Sequence, residues 1–148
     1  METKIPPPIV TLVFGLSIYL SSGIFRVVEF NHSFYLGIIL LLLGFVILIS
    51  AVRLFRKDKT TVNPLSPEQA TTLVTDGIFK YSRNPMYLGM ALVLSSIAVF
   101  FNIIGGIILV ALFCAYITKF QILPEERAMR DLFSDDFDKY TKVTRRWI

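Results

Sequence analysis

Long runs of uncharged, apolar residues constrain this chain more than any other feature of its sequence. Residues 9–25, 33–52 and 86–118 contain no Asp, Glu, Lys or Arg, and the last run extends over 33 residues. A helix needs about 20 predominantly apolar residues to cross the hydrocarbon core of a bilayer. Each run is therefore long enough, or nearly long enough, to cross a membrane, and hydrophobic residues make up 54% of the chain.

The third run is too long for one crossing and carries turn residues near its middle. Asn102, Gly105 and Gly106 are residue types that favour turns, so we interpret the run as two helices joined by a tight turn. The sequence therefore predicts an all-α, polytopic membrane protein with about four transmembrane helices. The predicted spans are residues 7–25, 33–54, 85–101 and 104–122.

Two other interpretations of the apolar runs are weaker. Helices of a soluble bundle need a polar face, and these runs have none. A secretory signal peptide ends in a cleavage site of small residues. The first run is instead preceded by Pro6, Pro7 and Pro8, and no such site follows it cleanly.

The basic residues are distributed unevenly around the apolar runs. Nearly all of them lie before the first span, between the second and third spans or after the fourth, and Arg26 alone lies in a loop on the other side. Lys and Arg are concentrated in cytoplasmic loops, so we expect both termini and the middle segment to be cytoplasmic. This bias, helped by anionic lipid, accounts for the net charge of +4, and no nucleic-acid partner is expected. Without a long N-terminal extension or an organelle signal, the expected location is a prokaryotic inner membrane.

The chain is poor in residues for nucleophilic or metal chemistry. It has one histidine, His32, in a short loop, and one cysteine, Cys114, inside an apolar run. A single buried thiol most often packs as a small apolar group, and one cysteine cannot form a disulfide within the chain. We therefore expect no metal site and no Ser/His/Asp or Cys/His catalytic group.

The polar segment between the second and third runs, residues 57–84, carries several turn and capping signals. Residues 66–69 have the form of a helix start, and residues 75–77 that of a turn. Asn84 is a good cap for the third span, and Pro85 suits its first turn. The free N–H groups of that turn would attract an anionic group such as a carboxylate.

The C-terminal segment contains two further helix signals. Residues 124–126 place two acids in the first turn of a predicted helix, where Glu126 can pair with Arg130, and residues 134–136 open another. Aromatic residues recur at roughly helical spacing at Phe133, Phe137, Tyr140 and Trp147. Composition alone favours an amphipathic helix on the membrane surface over one that folds back to close a pocket.

Several short segments stand out by their order and spacing: Thr71–Phe79, Arg83–Gly89, Glu125–Glu126, Phe133 with Tyr140, and Arg145–Trp147. Taken together they resemble the isoprenylcysteine carboxyl methyltransferase family. That family is related to the phospholipid methyltransferases, small membrane enzymes that use S-adenosylmethionine. The resemblance covers about residues 60–147. It implies one membrane domain, 1–148, with an N-terminal transmembrane hairpin at 1–56 and a methyltransferase core at 57–148.

The resemblance implies a cofactor pocket between the middle segment and the C-terminal helices, which would close it. The implied S-adenosylmethionine-binding residues are Thr71, Thr72, Leu73, Val74, Phe79, Asn84, Pro85, Met86, Tyr87, Glu125, Glu126 and Arg145, with Arg146 an alternative to Arg145. The implied catalytic residues are Arg83, Asn84, Tyr87 and Glu125, and the implied substrate-binding residues are Arg83 and Gln121.

Two positions depart from the pattern of the resembled family. Asn84 stands where the family has a histidine, so a mechanism that needs a titrating imidazole is not expected there. Gln121 stands near the position where some members carry an arginine that contacts a substrate carboxylate.

The resemblance implies an integral membrane enzyme that transfers a methyl group from S-adenosylmethionine to a lipophilic acceptor and releases S-adenosylhomocysteine. The expected acceptor is a carboxylate of the prenylcysteine type, reached from the membrane lipid. Alternatives are a phospholipid amine or a small thiol as the acceptor, or a nicotinamide-dependent reductase. A membrane scaffold subunit without catalytic activity is the alternative from a different class.

Overall fold

The computed structural model describes residues 5–25, 32–58 and 67–148, and every regular element in those ranges is helical. The five α-helices are α1 (Pro7–Ser21), α2 (Ser33–Lys57), α3 (Pro85–Phe101), α4 (Ile103–Ile117) and α5 (Leu123–Val143). Two short 3₁₀ helices, Pro67–Gln69 and Gly77–Lys80, lie between α2 and α3. A π-helical turn, Thr118–Ile122, joins α4 to α5. Of the helix start predicted at residues 66–69, Ser66 lies outside the described residues, and the rest forms only one 3₁₀ turn.

Two helices are long and apolar enough to cross a membrane. They are α2 and the continuous helix Ile103–Val143. The other two apolar helices, α1 and α3, have 15 and 17 residues. At 1.5 Å per residue they are about 23 and 26 Å long, shorter than the roughly 30 Å of a hydrocarbon core. The bounds of α3 agree with the predicted span, whereas α1 ends four residues early, at Ser21, and α2 extends three residues further, to Lys57.

Small residues allow α2 and α3 to approach each other closely. A Cβ atom on Gly44 would lie 2.9 Å from the Gly89 carbonyl oxygen, and a Cβ on Gly89 would lie 2.9 Å from the Gly44 carbonyl oxygen. Further along, the buried Ser96 hydroxyl donates to the Gly37 carbonyl over 2.8 Å. Small residues and hydroxyl hydrogen bonds are the usual means by which membrane helices associate, and here they join the second helix to the third.

Asn102 forms the tight turn that the sequence predicts between the third and fourth helices. Its side-chain oxygen accepts the Gly105 N–H over 3.1 Å and so caps α4. Its amide nitrogen donates to the carbonyls of Ser21, at 3.0 Å, and Phe25, at 3.3 Å, at the end of α1. One buried amide therefore caps α4 and holds the end of α1 against the turn.

The helix predicted to open at residues 124–126 is confirmed as α5, which begins at Leu123 and has Pro124, Glu125 and Glu126 in its first turn. The chain passes from α4 through the π-helical turn into α5 without leaving helical backbone geometry at Leu123. A proline inside a helix donates no N–H and crowds the carbonyl four residues earlier. The wider π-helical turn lies directly before Pro124, where this crowding would occur.

The helix start predicted at Ser134 does coincide with a break in α5. Ser134 has φ of 40° and ψ of −114°, and helical geometry resumes after it. This left-handed φ is rare for residues other than glycine. It changes the direction of the helix and divides α5 into the parts 123–133 and 135–143.

We predict that Asn102→Ala lowers the free energy of unfolding by about 1–3 kcal/mol, because it removes a helix cap and two donors to α1. Unfolding in mixed detergent micelles measures the loss. Ser22→Ala is the matched control, since the exposed Ser22 hydroxyl bonds only the Tyr19 carbonyl of its own helix. Equal effects of the two substitutions would contradict the role given to Asn102.

Candidate active site

The candidate residues from the middle and C-terminal segments meet at one end of the helices. This polar end is where α3 begins and where the π-helical turn joins α4 to α5. The C-terminal tail, residues 144–147, lies against the start of α3. There the Arg83 N–H donates to the Arg145 carbonyl over 3.0 Å, and the Asn84 amide donates to the Arg146 carbonyl over 2.9 Å.

The role predicted for Asn84 as a side-chain cap is wrong. Asn84 occupies the N-cap position of α3, but its side chain makes no cap bond with that helix. Its amide nitrogen donates to the tail instead, since the tail places a main-chain carbonyl within reach. Asn84 therefore fastens the C-terminus of the chain to α3.

A carboxylate and two guanidinium groups form the ionic centre of the polar end. Glu126 accepts from Arg83 Nη2 over 2.8 Å, and from Arg146 Nε and Nη2 over 3.0 and 2.7 Å. The predicted pairing of Glu126 with Arg130 is wrong. Arg130 pairs with Asp138 at 3.0 Å, across the break in α5, and the tail brings Arg146 to Glu126.

Glu126 is held in its charged form. Burial alone would raise its pKa, but the hydrogen bonds from Arg146 and Arg83, together with their charges, outweigh burial and hold the pKa of Glu126 below its ordinary value. The same hydrogen bond raises the pKa of Arg146. Glu126 therefore keeps its negative charge and, through Arg83 and Arg146, holds three segments of the chain together.

Glu125, the preceding residue, has the opposite environment. It accepts a hydrogen bond from the hydroxyl of Tyr87, a side chain that is only 4% exposed in α3. Burial raises the pKa of Glu125 to about 7; the Tyr87 hydrogen bond partly opposes this rise, and the nearby Glu126 charge adds to it. A carboxyl group with a pKa near neutrality can take up and release a proton under ordinary conditions.

A second, apolar cluster supports the site from the side of α2. Val74, Phe79, Phe137 and Tyr140 are all less than 9% exposed, and the Tyr140 hydroxyl donates to the Phe79 carbonyl over 2.6 Å. The interfacial placement favoured for this last helix is therefore wrong. After the break at Ser134 the helix folds back onto the middle segment, where Phe137 and Tyr140 are buried against Val74 and Phe79.

The remaining candidate residues lie in different surroundings. Leu73 and Met86 pack against the apolar cluster, and Pro85 is buried at the start of α3. The Thr71 and Thr72 side chains are exposed, as is that of Arg145. Of the two arginines considered for the tail, Arg146 is the one that reaches Glu126.

Two polar contacts at this end were not predicted from the sequence. The Trp147 indole N–H donates to the Thr118 hydroxyl over 3.3 Å, and the Thr144 hydroxyl donates to the Lys80 carbonyl over 3.4 Å. Trp147, the single tryptophan of the chain, follows the pair Arg145 and Arg146. It was the one feature of the sequence that indicated a C-terminus held against the rest of the protein.

We predict that Glu126→Gln loosens the C-terminal tail and lowers the free energy of unfolding by about 1–3 kcal/mol, because both arginines lose a charged acceptor. Hydrogen exchange of residues 144–147 should become faster. Asp136→Asn, which removes an exposed ion pair with Lys139, is the control and should leave tail exchange unchanged. Unaltered exchange in Glu126→Gln would contradict this account.

Glu125 should make stability fall as the pH rises. Its folded pKa of about 7 lies above the ordinary value of 4.5. Between those values the folded protein keeps a proton that the unfolded chain has released, so the destabilisation grows up to about pH 7. We predict a flatter stability profile between pH 4.5 and 7.5 for Glu125→Gln than for the unsubstituted protein.

Unfolding in mixed micelles at several pH values tests this prediction. Glu126 does not contribute to the change in stability between pH 4.5 and 7.5. Its pKa is lowered, so the stability that it contributes is lost at more acidic pH. Asp136→Asn should keep the slope of the unsubstituted protein. Parallel profiles for Glu125→Gln and the unsubstituted protein would show that Glu125 is not a raised-pKa carboxyl.

Comparisons with known proteins place the chain in a family. A family model described as phospholipid methyltransferase matches residues 32–136, which include α2, α3, α4 and most of α5. Comparison with curated proteins and with solved structures found no match. The match covers more than half of the chain and agrees with its apolar helices in indicating a membrane protein. The chain therefore belongs to the phospholipid methyltransferase family of membrane methyltransferases.

Proposed function

We propose that this protein transfers a methyl group from S-adenosylmethionine to the amine of a membrane phospholipid at the polar end of its helices. The observation that carries the proposal is the hydrogen-bonded pair of Tyr87 and Glu125. It provides a proton acceptor of suitable pKa beside the start of an apolar helix. The family supports methyl transfer, and the apolar helices support an acceptor that arrives from the bilayer.

The residues at the polar end fit a cofactor that carries both positive and negative groups. S-adenosylmethionine has a carboxylate, an ammonium group, a sulfonium centre and ribose hydroxyls. Arg83 Nε is buried without a hydrogen-bond partner among residues 5–25, 32–58 and 67–148, and such a donor suits the carboxylate. Glu125 suits a cationic or hydroxyl group. The twelve residues implied for this cofactor in the sequence remain the candidates for its pocket.

The chain's own groups have a limited task in this reaction. S-adenosylmethionine supplies an electrophilic methyl group on its sulfonium sulfur, and S-adenosylhomocysteine is the product. A phospholipid ammonium group must lose one proton before its nitrogen has a free electron pair. Glu125 takes that proton, and the Tyr87 hydroxyl holds the carboxyl in place. The remaining contribution is to align the two reactants.

A carboxylate acceptor of the prenylcysteine type is the second candidate. It needs no base, and the unpartnered Nε of Arg83 favours an anion. The neighbouring carboxyl groups of Glu125 and Glu126 would repel it, and the neutral Gln121 offers it no charge. We therefore rank an amine above a carboxylate. Small thiols have no feature in their favour, and family membership supports an enzyme over a scaffold or a reductase.

We further propose that the protein lies in a prokaryotic inner membrane with both termini in the cytoplasm. Cytoplasmic S-adenosylmethionine would then reach the polar end directly. The basic residues Arg53, Arg56 and Lys57 at the end of α2 support this orientation. Basic residues of the C-terminal segment support it in the same way.

We predict that the purified protein binds S-adenosylmethionine in calorimetry and methylates phosphatidylethanolamine in micelles. Glu125→Gln should lower kcat by about 10²–10⁴-fold, the usual contribution of a general base. The kcat of the unsubstituted protein should rise with pH through about 7. The control Asp136→Asn should keep full activity.

Two outcomes would contradict these proposals in different ways. Absence of S-adenosylmethionine binding at millimolar concentration would overturn the methyltransferase proposal. Transfer to N-acetyl-S-farnesylcysteine but not to phosphatidylethanolamine, with kcat unaffected by Glu125→Gln, would overturn the amine acceptor and establish the carboxylate.

A further inference from the structure

Gln121 is a buried amide with one polar atom that lacks a partner. It lies in the π-helical turn and is 1% exposed. Its Nε2 donates to the Ile5 carbonyl over 2.8 Å. Its Oε1 has no hydrogen-bond partner among residues 5–25, 32–58 and 67–148. The Ile5 carbonyl can only accept, so the NH₂ group must face it and the unpartnered atom must be the oxygen.

An unpartnered buried acceptor requires an explanation. Leaving such a group unpaired costs more than an average hydrogen bond contributes, and the neighbouring Ile117 and Ile122 are fully buried apolar side chains that offer no donor. Gln121 lies in a π-helical turn, a form of backbone found frequently at functional sites, although Pro124 already accounts for this turn. The unpartnered oxygen is therefore the observation that points to a donor arriving with a ligand.

The position of Gln121 relates it to the proposed reaction. Gln121 and Glu125 are four residues apart on one continuous helix, so their side chains occupy the same face one turn apart. Thr118, three residues earlier, accepts the Trp147 indole N–H. Ile5, whose carbonyl accepts from the Gln121 amide, lies just before α1, and its half-buried side chain packs against the core.

We propose that Gln121 Oε1 accepts a hydrogen bond from an N–H of the phospholipid headgroup, which makes Gln121 a specificity-determining residue for amines that still carry a proton. The inference rests on the proposed function and adds the residue that recognises the acceptor. The neutral amide oxygen accepts from an ammonium N–H and offers a carboxylate nothing.

This assignment also explains how a fully methylated headgroup would leave. An ethanolamine ammonium group carries three N–H bonds, and each methyl transfer replaces one of them. A choline headgroup has the same charge and phosphate but no N–H, so it cannot make the bond to Gln121. The trimethylated product therefore lacks a contact that each protonated substrate makes on binding; for the dimethylated substrate, this N–H carries the same proton that then passes to Glu125.

The test compares two lipids that differ only in this donor. Calorimetry would measure the binding of dihexanoyl phosphatidylethanolamine and dihexanoyl phosphatidylcholine to the full chain in micelles. Fluorescence of Trp147, the one tryptophan in the chain, gives a second readout beside the site. We expect phosphatidylethanolamine to bind about tenfold or more tightly, the value for one charge-assisted hydrogen bond.

Two substitutions separate recognition from a structural role. Gln121→Leu removes the acceptor and the bond to Ile5, whereas Gln121→Glu keeps an acceptor oxygen and loses the bond to Ile5. We expect Gln121→Leu to bind the two lipids equally and Gln121→Glu to keep the preference for phosphatidylethanolamine. A purely structural Gln121 would give both variants lower stability and the same lipid preference as the unsubstituted protein.

Each outcome of these measurements either supports or overturns the inference about Gln121. Equal affinity of the unsubstituted protein for the two lipids, or binding of neither, overturns the inference about Gln121. Retained preference in Gln121→Leu overturns it as well. The S-adenosylmethionine affinity of the same proteins is measured in parallel. Its absence in all of them overturns the proposed function, whereas its presence with an unchanged lipid preference overturns the inference alone.

Discussion

The polar end of this protein depends on the ionic contact of Glu126 with Arg83 and Arg146. Glu126 belongs to the start of α5, Arg83 precedes α3, and Arg146 lies in the C-terminal tail. No two of these side chains belong to the same helix, so the contact joins three separate segments. With main-chain bonds from Arg83 and Asn84 to the tail, the contact fixes the position of α3 relative to α5. The distance between Tyr87 on α3 and Glu125 on α5 follows from that position.

Two adjacent carboxyl groups thereby acquire opposite properties. Glu126 has two guanidinium partners and a lowered pKa, whereas Glu125 has a phenol partner, deeper burial and a raised pKa. Successive residues of a helix point about 100° apart, so one can face the arginines while the next faces Tyr87. The carboxyl group that orders the segments, Glu126, and the carboxyl group proposed to accept a proton, Glu125, are thus neighbours in the chain.

Local sequence signals were sufficient to predict the helices, but they were not sufficient to predict the contacts between them. Runs of apolar residues predicted the helices, and Asn102 and Ser134 marked the turn and the break correctly. The partners of Glu126 could not be predicted, because Arg83 and Arg146 are 43 and 20 residues away in sequence, and the nearer Arg130 satisfied the helical rule. The break at Ser134 is what gives Arg130 another partner and turns Phe137 and Tyr140 inward. Gln121 was singled out from a family resemblance, but its unpartnered oxygen depends on Ile5, a contact no local pattern encodes.

The bonds of Asn102 to the end of α1 impose an order on assembly. The carbonyls of Ser21 and Phe25 accept from the Asn102 amide, which lies 81 and 77 positions later in the chain. The Ser21 carbonyl also accepts the N–H groups of Ile24 and Phe25, so the bonds from Asn102 join two segments at an end that already has local hydrogen bonds. Synthesis runs from the N-terminus, so α1 is made long before Asn102 exists. The first helix made is thus among the last to be held in place, because the turn between α3 and α4 must form before Asn102 can reach it.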